Sequence, residues 1–353
     1  MILKEKLKVG IIGLGIGESH IDGYLSHPAC EIKYLCDFDD LTLRKAKEKY
    51  PNYKLTKNAD DILNNSSLDV ISIASYDNFH YEQIIKGISN DKHLFVEKPI
   101  CYHENEAKKI YEILKSKPHL KFSSNLILRK YERFIDLKKR INANDLGNLS
   151  FISGGYNYGR LKKITAGWRS KMDFYSGVVS GGIHIIDLML WLTNDRVTEV
   201  FAYGNNIQSQ NTDFKFNDMI VAVIKFSSGM IGNLTVNLGC VHPHFHPFEV
   251  YGTKASFIND FNYAKFYNDR DNKNINENRL KNPEIPEYNG LAKLSTNYSV
   301  ENKGMHLNQF INSILSGEEP AVNLNEIFDA LSISFAIEKS INQSTAVQVN
   351  YFS

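Results

Sequence analysis

The sequence predicts two domains in series: a doubly wound, parallel α/β domain over residues 1–125, then an α+β domain over residues 126–353 with an open, mostly antiparallel sheet. Three observations carry this expectation. At 353 residues the chain is too long for one ordinary domain, since domains run to about 150 residues each. From Lys8 to Asn125 short continuous apolar runs alternate with helix-spaced segments, the pattern of strands buried on both faces of a parallel sheet. Beyond Asn125 the strand-like runs alternate apolar and polar residues, as half-exposed antiparallel strands do.

In the first part the apolar runs are 8–15, 31–37, 70–75, 93–99 and 121–128, and the helix-spaced segments are 18–27, 39–49, 59–65, 79–89 and 103–116. In the second part a helical pattern over 130–143 precedes strand-like stretches at 148–158, 197–207, 218–226, 230–239 and 248–253. Between them 177–193 (GVVSGGIHIIDLMLWLT) is too long and too apolar for one strand and reads as a buried helix. The Asn- and Lys-rich stretch 259–300 reads as a surface excursion. Helical patterns at 304–316 and 323–341 and a last strand at 346–350 close the chain.

Composition restricts the function. Hydrophobic residues are 42% and charged residues 23%, enough for packed cores in both parts. The 41 Lys and Arg balance 40 Asp and Glu, so no bulk field steers the chain to nucleic acid or an anionic membrane. No signal-like or membrane-length apolar run is present, and Cys30, Cys36, Cys101 and Cys240 show no metal-ligand spacing. A cytoplasmic protein with reduced thiols is the expectation.

The first strand runs into Gly13-Leu14-Gly15-Ile16-Gly17 and then a helix start. Glycines there let a turn close tightly and let backbone N–H groups approach a pyrophosphate at the helix N-terminus. The pattern departs from G-x-G-x-x-G, with the third glycine one position early and Glu18 where a small residue is usual. Asp37 ends the second strand, where a carboxylate accepts hydrogen bonds from the adenosine ribose and repels a 2′-phosphate. Its alternative role is to help cap the next helix. Together these features point to a Rossmann domain holding NAD, with Arg44 one helical turn on keeping NADP open.

The run Val96-Glu97-Lys98-Pro99, added to the glycine turn, resembles the glucose–fructose oxidoreductase and inositol dehydrogenase (Gfo/Idh/MocA) family. Ala74 to His80 stands in place of that family's A-T-P-N-x-x-H loop, with Tyr76 for Pro and Asp77 for Asn. Ser180 to Asp187 is similar to its D-x-G-x-H-x-x-D helix, and Asn125 to Arg129 to its crossing segment. The resemblance implies Lys98 as the catalytic lysine beside the nicotinamide, with Glu97 and Pro99 fixing its direction. It implies Ser75, His80, Glu97 and Lys98 in cofactor binding beside Gly13, Gly15, Gly17 and Asp37. It places His184 opposite Lys98, sharing proton transfer with the substrate oxygen. Ser180 replaces an acid four residues before His184, so the charge that tunes the histidine in many members is missing.

The resemblance thus implies interconversion of a secondary hydroxyl and a ketone on a sugar, nucleotide sugar or polyol, in a homodimer or homotetramer built through the C-terminal sheet. Substrate-facing candidates are Asn125, Tyr158, Arg160, Trp168, Arg169, Ser180 and His184, the arginines suiting an anionic group and the rings a sugar face. His242, His244 and His246 would share one face if they lay on a strand, but Pro243 and Pro247 oppose a regular strand, and no metal is expected. Two other classes remain open. One is a lyase or glycosidase using NAD for transient oxidation, and the other a non-catalytic nucleotide-binding member.

Overall fold

The computed structural model describes residues 5–261, 263–268, 280–281 and 300–352. The chain divides into two compact units: the described residues of 1–125, 298–328 and 352 form one, and those of 126–297 and 329–351 the other.

The first unit holds β1 (Leu7–Ile12), α1 (Glu18–Leu25), β2 (Cys30–Cys36), α2 (Asp40–Lys49), β3 (Lys54–Thr56), α3 (Asp60–Leu63), β4 (Val70–Ile73), α4 (His80–Ser89), β5 (His93–Val96), α5 (Glu104–Ser116) and β6 (Phe122–Ser124). The strands form one parallel sheet in the order β3-β2-β1-β4-β5-β6. That is the expected Rossmann arrangement, and the order reverses between β1 and β4, where such sheets bind ligands at the carboxyl ends of the strands. β4 is buried along its whole length because helices cover both faces. β3 has only three residues, too few for a periodicity to register.

A linear division at residue 125 has no place for the Val300–Ser316 helix, which returns to this first unit. Its Leu307, Phe310 and Ile311 join Ile21, Tyr24, Leu35 and Phe95 in one core cluster. The Ser26 hydroxyl bonds Asn308 Oδ1 at 3.2 Å, and the His27 ring lies 3.0 Å from Asn312 Oδ1.

The second unit begins with α6 (Glu132–Asn142), β7 (Leu149–Asn157), α7 (Leu161–Thr165) and α8 (Ile183–Thr193). There follow β8 (Val197–Asn205), β9 (Met219–Phe226), β10 (Ile231–Asn237), β11 (Phe248–Gly252), β12 (Ser256–Asn259), β13 (Tyr263–Tyr267), β14 (Leu280–Lys281) and β15 (Val347–Gln348). These strands form a nine-stranded sheet, β14-β13-β12-β11-β7-β10-β9-β8-β15, antiparallel throughout except between β7 and β10. β9 alternates buried and exposed side chains from Ile220 to Phe226, as a sheet with one covered face requires.

The stretch 259–300 departs from its reading as a plain excursion, because β13 and β14 extend the sheet edge within it. Its residues 262, 269–279 and 282–299 lie outside the described residues. Among the described residues no helix is long and apolar enough to cross a membrane.

Candidate functional site

In the first unit the glycine turn shows which glycine serves the fold and which leaves room for a ligand. Gly13 has φ +86°, and a Cβ there would lie 2.3 Å from the Ala74 carbonyl oxygen; one on Gly17 would lie 2.1 Å from the Gly13 carbonyl oxygen. Both positions are closed to larger side chains by the protein itself. A Cβ on Gly15 would meet nothing within 4 Å. The side of Gly15 is thus open, as a backbone that lets a pyrophosphate come close requires.

Asp37 closes this turn from the neighbouring strand. Its Oδ2 accepts from the Leu14 backbone N–H at 2.8 Å and its Oδ1 from the Asp39 N–H at 3.0 Å. Each oxygen keeps lone-pair capacity for ribose hydroxyls. The helix cap falls to Asp39, which accepts from Thr42 N–H at 2.8 Å. The residues that remain for NAD thus fit it: an open glycine, a helix start and a free-faced carboxylate. Phe38 and Tyr76, both exposed, meet edge to face at 5.2 Å and carry apolar surface onto this rim. Sequence reasoning passed over Phe38, although an exposed aromatic directly after the ribose acid was a usable signal.

Two further loops leave the same sheet edge. Ser75 follows β4 and donates to Gln83 Oε1 at 2.7 Å. The fully buried His80 ring spans two carbonyls, Pro99 O at 2.6 Å from Nδ1 and Ser75 O at 3.1 Å from Nε2. It thereby ties the loop after β4 to the Glu97-Lys98-Pro99 run after β5. Glu97 is buried, yet the His20 and Asn125 hydrogen bonds and the nearby Lys98 charge outweigh burial and hold its carboxyl down at about 2. Asn125, expected among substrate contacts, gives its Nδ2 to Glu97 Oε1 at 2.7 Å. Lys98, next in the chain after Glu97, is half-buried.

In the second unit the buried 177–193 segment is not one regular helix. Val178–Gly182 makes a widened π turn before α8 begins, a feature common at functional sites. A Cβ on Gly181 would lie 2.4 Å from the Tyr156 ring. The glycine thus lets Tyr156 lie against the helix, where its ring centroid is 6.3 Å from that of His184. Ser180, inside the π turn and buried, donates to the Tyr175 hydroxyl at 2.8 Å. Asp187 is held by Arg129, Nε to Oδ2 at 2.8 Å and Nη2 to Oδ1 at 2.5 Å, with both side chains buried.

Tyr156 begins a row of rings. Tyr158 stacks on it at 5.8 Å, Arg160 lies over Tyr158 at 5.3 Å, and Arg169 lies over Trp168 at 4.3 Å. Lys163 is held below the ordinary lysine range by burial and by the charges of Arg160 and Arg169. The three histidines do not share a face. His244 and His246 join the Tyr156 cluster, whereas His242 turns to Phe245 and Phe261. The prolines keep this segment out of the sheet apart from one bridge between Asn157 and Phe245. No group of side chains among the described residues has the arrangement of a metal site. The buried Lys130, pushed down to about 8 by burial and by Arg129, also escaped the sequence reading.

A Rossmann sheet with this open glycine turn and an acid at the end of its second strand, in one chain with an α+β unit, defines a nicotinamide-dinucleotide oxidoreductase. Residues 7–124 match the model of the oxidoreductase family with an NAD-binding Rossmann fold, and residues 134–258 match the GFO/IDH/MocA C-terminal domain. The chain belongs to the Gfo/Idh/MocA oxidoreductase family, and its cofactor is NAD. It is 24% identical to the myo-inositol 2-dehydrogenase of Thermotoga maritima over 97% of this chain and 98% of the relative. It shares its fold with a levoglucosan dehydrogenase solved with NADH, at TM-score 0.84 and 20% identity over 98% of this chain and 100% of that one. The scyllo-inositol dehydrogenase of Lactobacillus casei, solved with NAD(H) and scyllo-inositol, follows at TM-score 0.78 and 18% identity, covering 98% and 99%.

Proposed function

We propose that this oxidoreductase interconverts a secondary hydroxyl and a ketone on a sugar-type ring, with Lys98 exchanging the proton of the reacting oxygen. The observation that carries the reading lies in the first unit. The glycine turn, Asp37, the Ser75–His80 loop, Lys98 and Asn125 all leave the carboxyl ends of strands in one parallel sheet. NAD, when bound, supplies the hydride acceptor for alcohol oxidation. Gly15, in the turn that Gly13 and Gly17 close, would hold its pyrophosphate, Asp37 its ribose hydroxyls, and Phe38 with Tyr76 would flank its adenine.

Lys98 takes the hydroxyl proton in oxidation and returns one in reduction, steadied by the buried Glu97 anion. His184 is the second unit's proton-handling group, since imidazole accepts or donates near neutral pH. Tyr158, Arg160, Trp168 and Arg169 give the substrate aromatic faces and guanidinium forks, which favour a sugar bearing an anionic group. The inositol and levoglucosan dehydrogenases among its relatives support the sugar-type alcohol. Screening free sugars, inositols, sugar acids and nucleotide sugars with NAD at 340 nm tests the reading. NADH should accumulate with one such class, and cofactor binding without turnover on any of them would overturn it.

The same reading includes self-association through the C-terminal sheet. On its uncovered face Phe201 pairs with Val223, Tyr203 with Val221 and Phe151 with Ile231. Tyr203 is 66% exposed and Val223 and Ile231 51% each, an apolar stripe of the kind that marks interfaces. Light scattering should find a dimer or tetramer that Val223→Glu weakens; a wild-type monomer at micromolar concentration would refute it.

A further inference from the structure

His20, whose ring helps to hold Glu97 as an anion, is 3% exposed and reaches the residue before Lys98. It is the third residue of α1, the helix that the glycine turn starts. From there its Nδ1 lies 2.8 Å from Ser72 Oγ on β4, and its Nε2 lies 3.0 Å from Glu97 Oε1 at the end of β5. The ring edge packs on Phe95, centroids 5.4 Å apart at an interplanar angle of 83°. One side chain therefore links the cofactor helix, a central strand and the run that carries the lysine.

The chemistry of the partners restricts what this imidazole can do. An ionised carboxylate only accepts, so Nε2 carries the hydrogen toward Glu97. The Ser72 hydroxyl can donate to Nδ1 or accept from it, so the ring keeps both bonds whether neutral or charged. Glu97 is itself 6% exposed, a burial that by itself favours the protonated acid. The titratable groups acting on it are His20 from α1 and its chain neighbour Lys98, with Asn125 from the end of β6 as a neutral donor.

We propose that His20 is a positioning residue for Lys98: it holds Glu97 as an oriented anion and so gives the lysine a constant counter-charge. This rests on the assignment of Lys98 made under the proposed function. Removing the ring while leaving the carboxylate buried should let Glu97 take up a proton within the assay range. The lysine then loses its counter-charge at the acid side of that range and keeps it at the alkaline side.

The test uses His20→Leu, His20→Gln, and His20→Leu combined with Glu97→Gln, each compared with wild type. In His20→Leu, kcat should fall about tenfold or more near pH ~6 and recover as pH rises, while NAD affinity by fluorescence titration stays within about threefold. His20→Gln can still donate to the carboxylate and should retain most of kcat. In the Glu97→Gln background His20→Leu should cost little more, which keeps the test open if the single leucine variant fails to fold. A second readout needs no turnover. The depressed Glu97 carboxyl contributes stability that is present above its ordinary 4.5 and lost as pH falls toward about 2. In cofactor-free His20→Leu, where the folded carboxyl would titrate above its ordinary 4.5, urea unfolding should show that acid-side loss gone and stability instead falling as pH rises through the assay range. An inactive Lys98→Met together with a wild-type pH profile in His20→Leu overturns this inference alone. Full turnover in Lys98→Met overturns the lysine assignment and this inference with it, while the unfolding shift would still report the His20–Glu97 pair.

Discussion

Arg129 holds Asp187 through two parallel N–H···O bonds in the buried interior of the second unit, with the guanidinium 6.0 Å from the Trp191 ring. Asp187 is the acid of the H-x-x-D pattern, and both of its carboxylate oxygens accept from Arg129. Asp187→Asn should therefore cost stability, on the order of 3–5 kcal/mol, because it takes the carboxylate charge away from the buried Arg129. Urea unfolding checks it. Arg129→Met with Asp187→Leu should lose much less than either change alone, and equal losses would deny the coupling.

Lys98→Met should reduce turnover by roughly a hundredfold or more while leaving NAD affinity within a few-fold. The side chain is half-buried, and methionine fills similar volume without a transferable proton. Steady-state kinetics beside a fluorescence titration separates the two effects. Near-normal turnover would remove Lys98 from the chemistry.

Asp37 performs two tasks, so its replacement has two signatures. Asp37→Ser should shift preference toward NADP by removing the charge that repels a 2′-phosphate. It should also weaken NAD binding by about tenfold, roughly 1.4 kcal/mol, because the Leu14 N–H loses its charged acceptor. Titration with both dinucleotides decides, and a wild type that already prefers NADP would contradict the role given to Asp37.

Ser180 and Tyr175 exchange a hydrogen bond between hydroxyls. An aspartate at 180 accepts from the Tyr175 hydroxyl, so Ser180→Asp keeps that contact and adds the missing charge. Activity should be kept or raised, with a changed pH profile. A folded but inactive variant would mean that the serine contacts substrate.

The like charges of Arg160 and Arg169 help to hold Lys163 below the ordinary lysine range. If the substrate carries phosphate or carboxylate, Arg169→Ala and Arg160→Ala should each raise KM about ten- to a hundredfold and spare NAD binding. Neutral inositols turned over best, with both variants behaving as wild type, would remove the anionic group from the substrate.

The alternation of buried apolar runs with helical segments was enough to foresee the parallel sheet, because each strand there is covered on both faces and carries its own signal. Gly13, Gly15, Gly17 and Asp37 could be proposed for a related reason, since each follows a strand end, where the chemistry is local in sequence, whereas Glu97 and Lys98 were proposed from the family resemblance. What lay beyond the sequence depends on residues far apart in it. Gly15 and Gly17 read alike as letters, and only the packing of the turn shows that one faces the protein and the other open space. His20, Ser72, Glu97 and Asn125 come from four separate elements, and no periodicity along the chain links an imidazole on α1 to a carboxylate after β5. The return of the Val300–Ser316 helix and the Arg129–Asp187 pair are of the same kind. Local propensity and hydrophobic pattern determine which elements form, whereas burial and the satisfaction of buried polar groups are settled only when distant elements pack together.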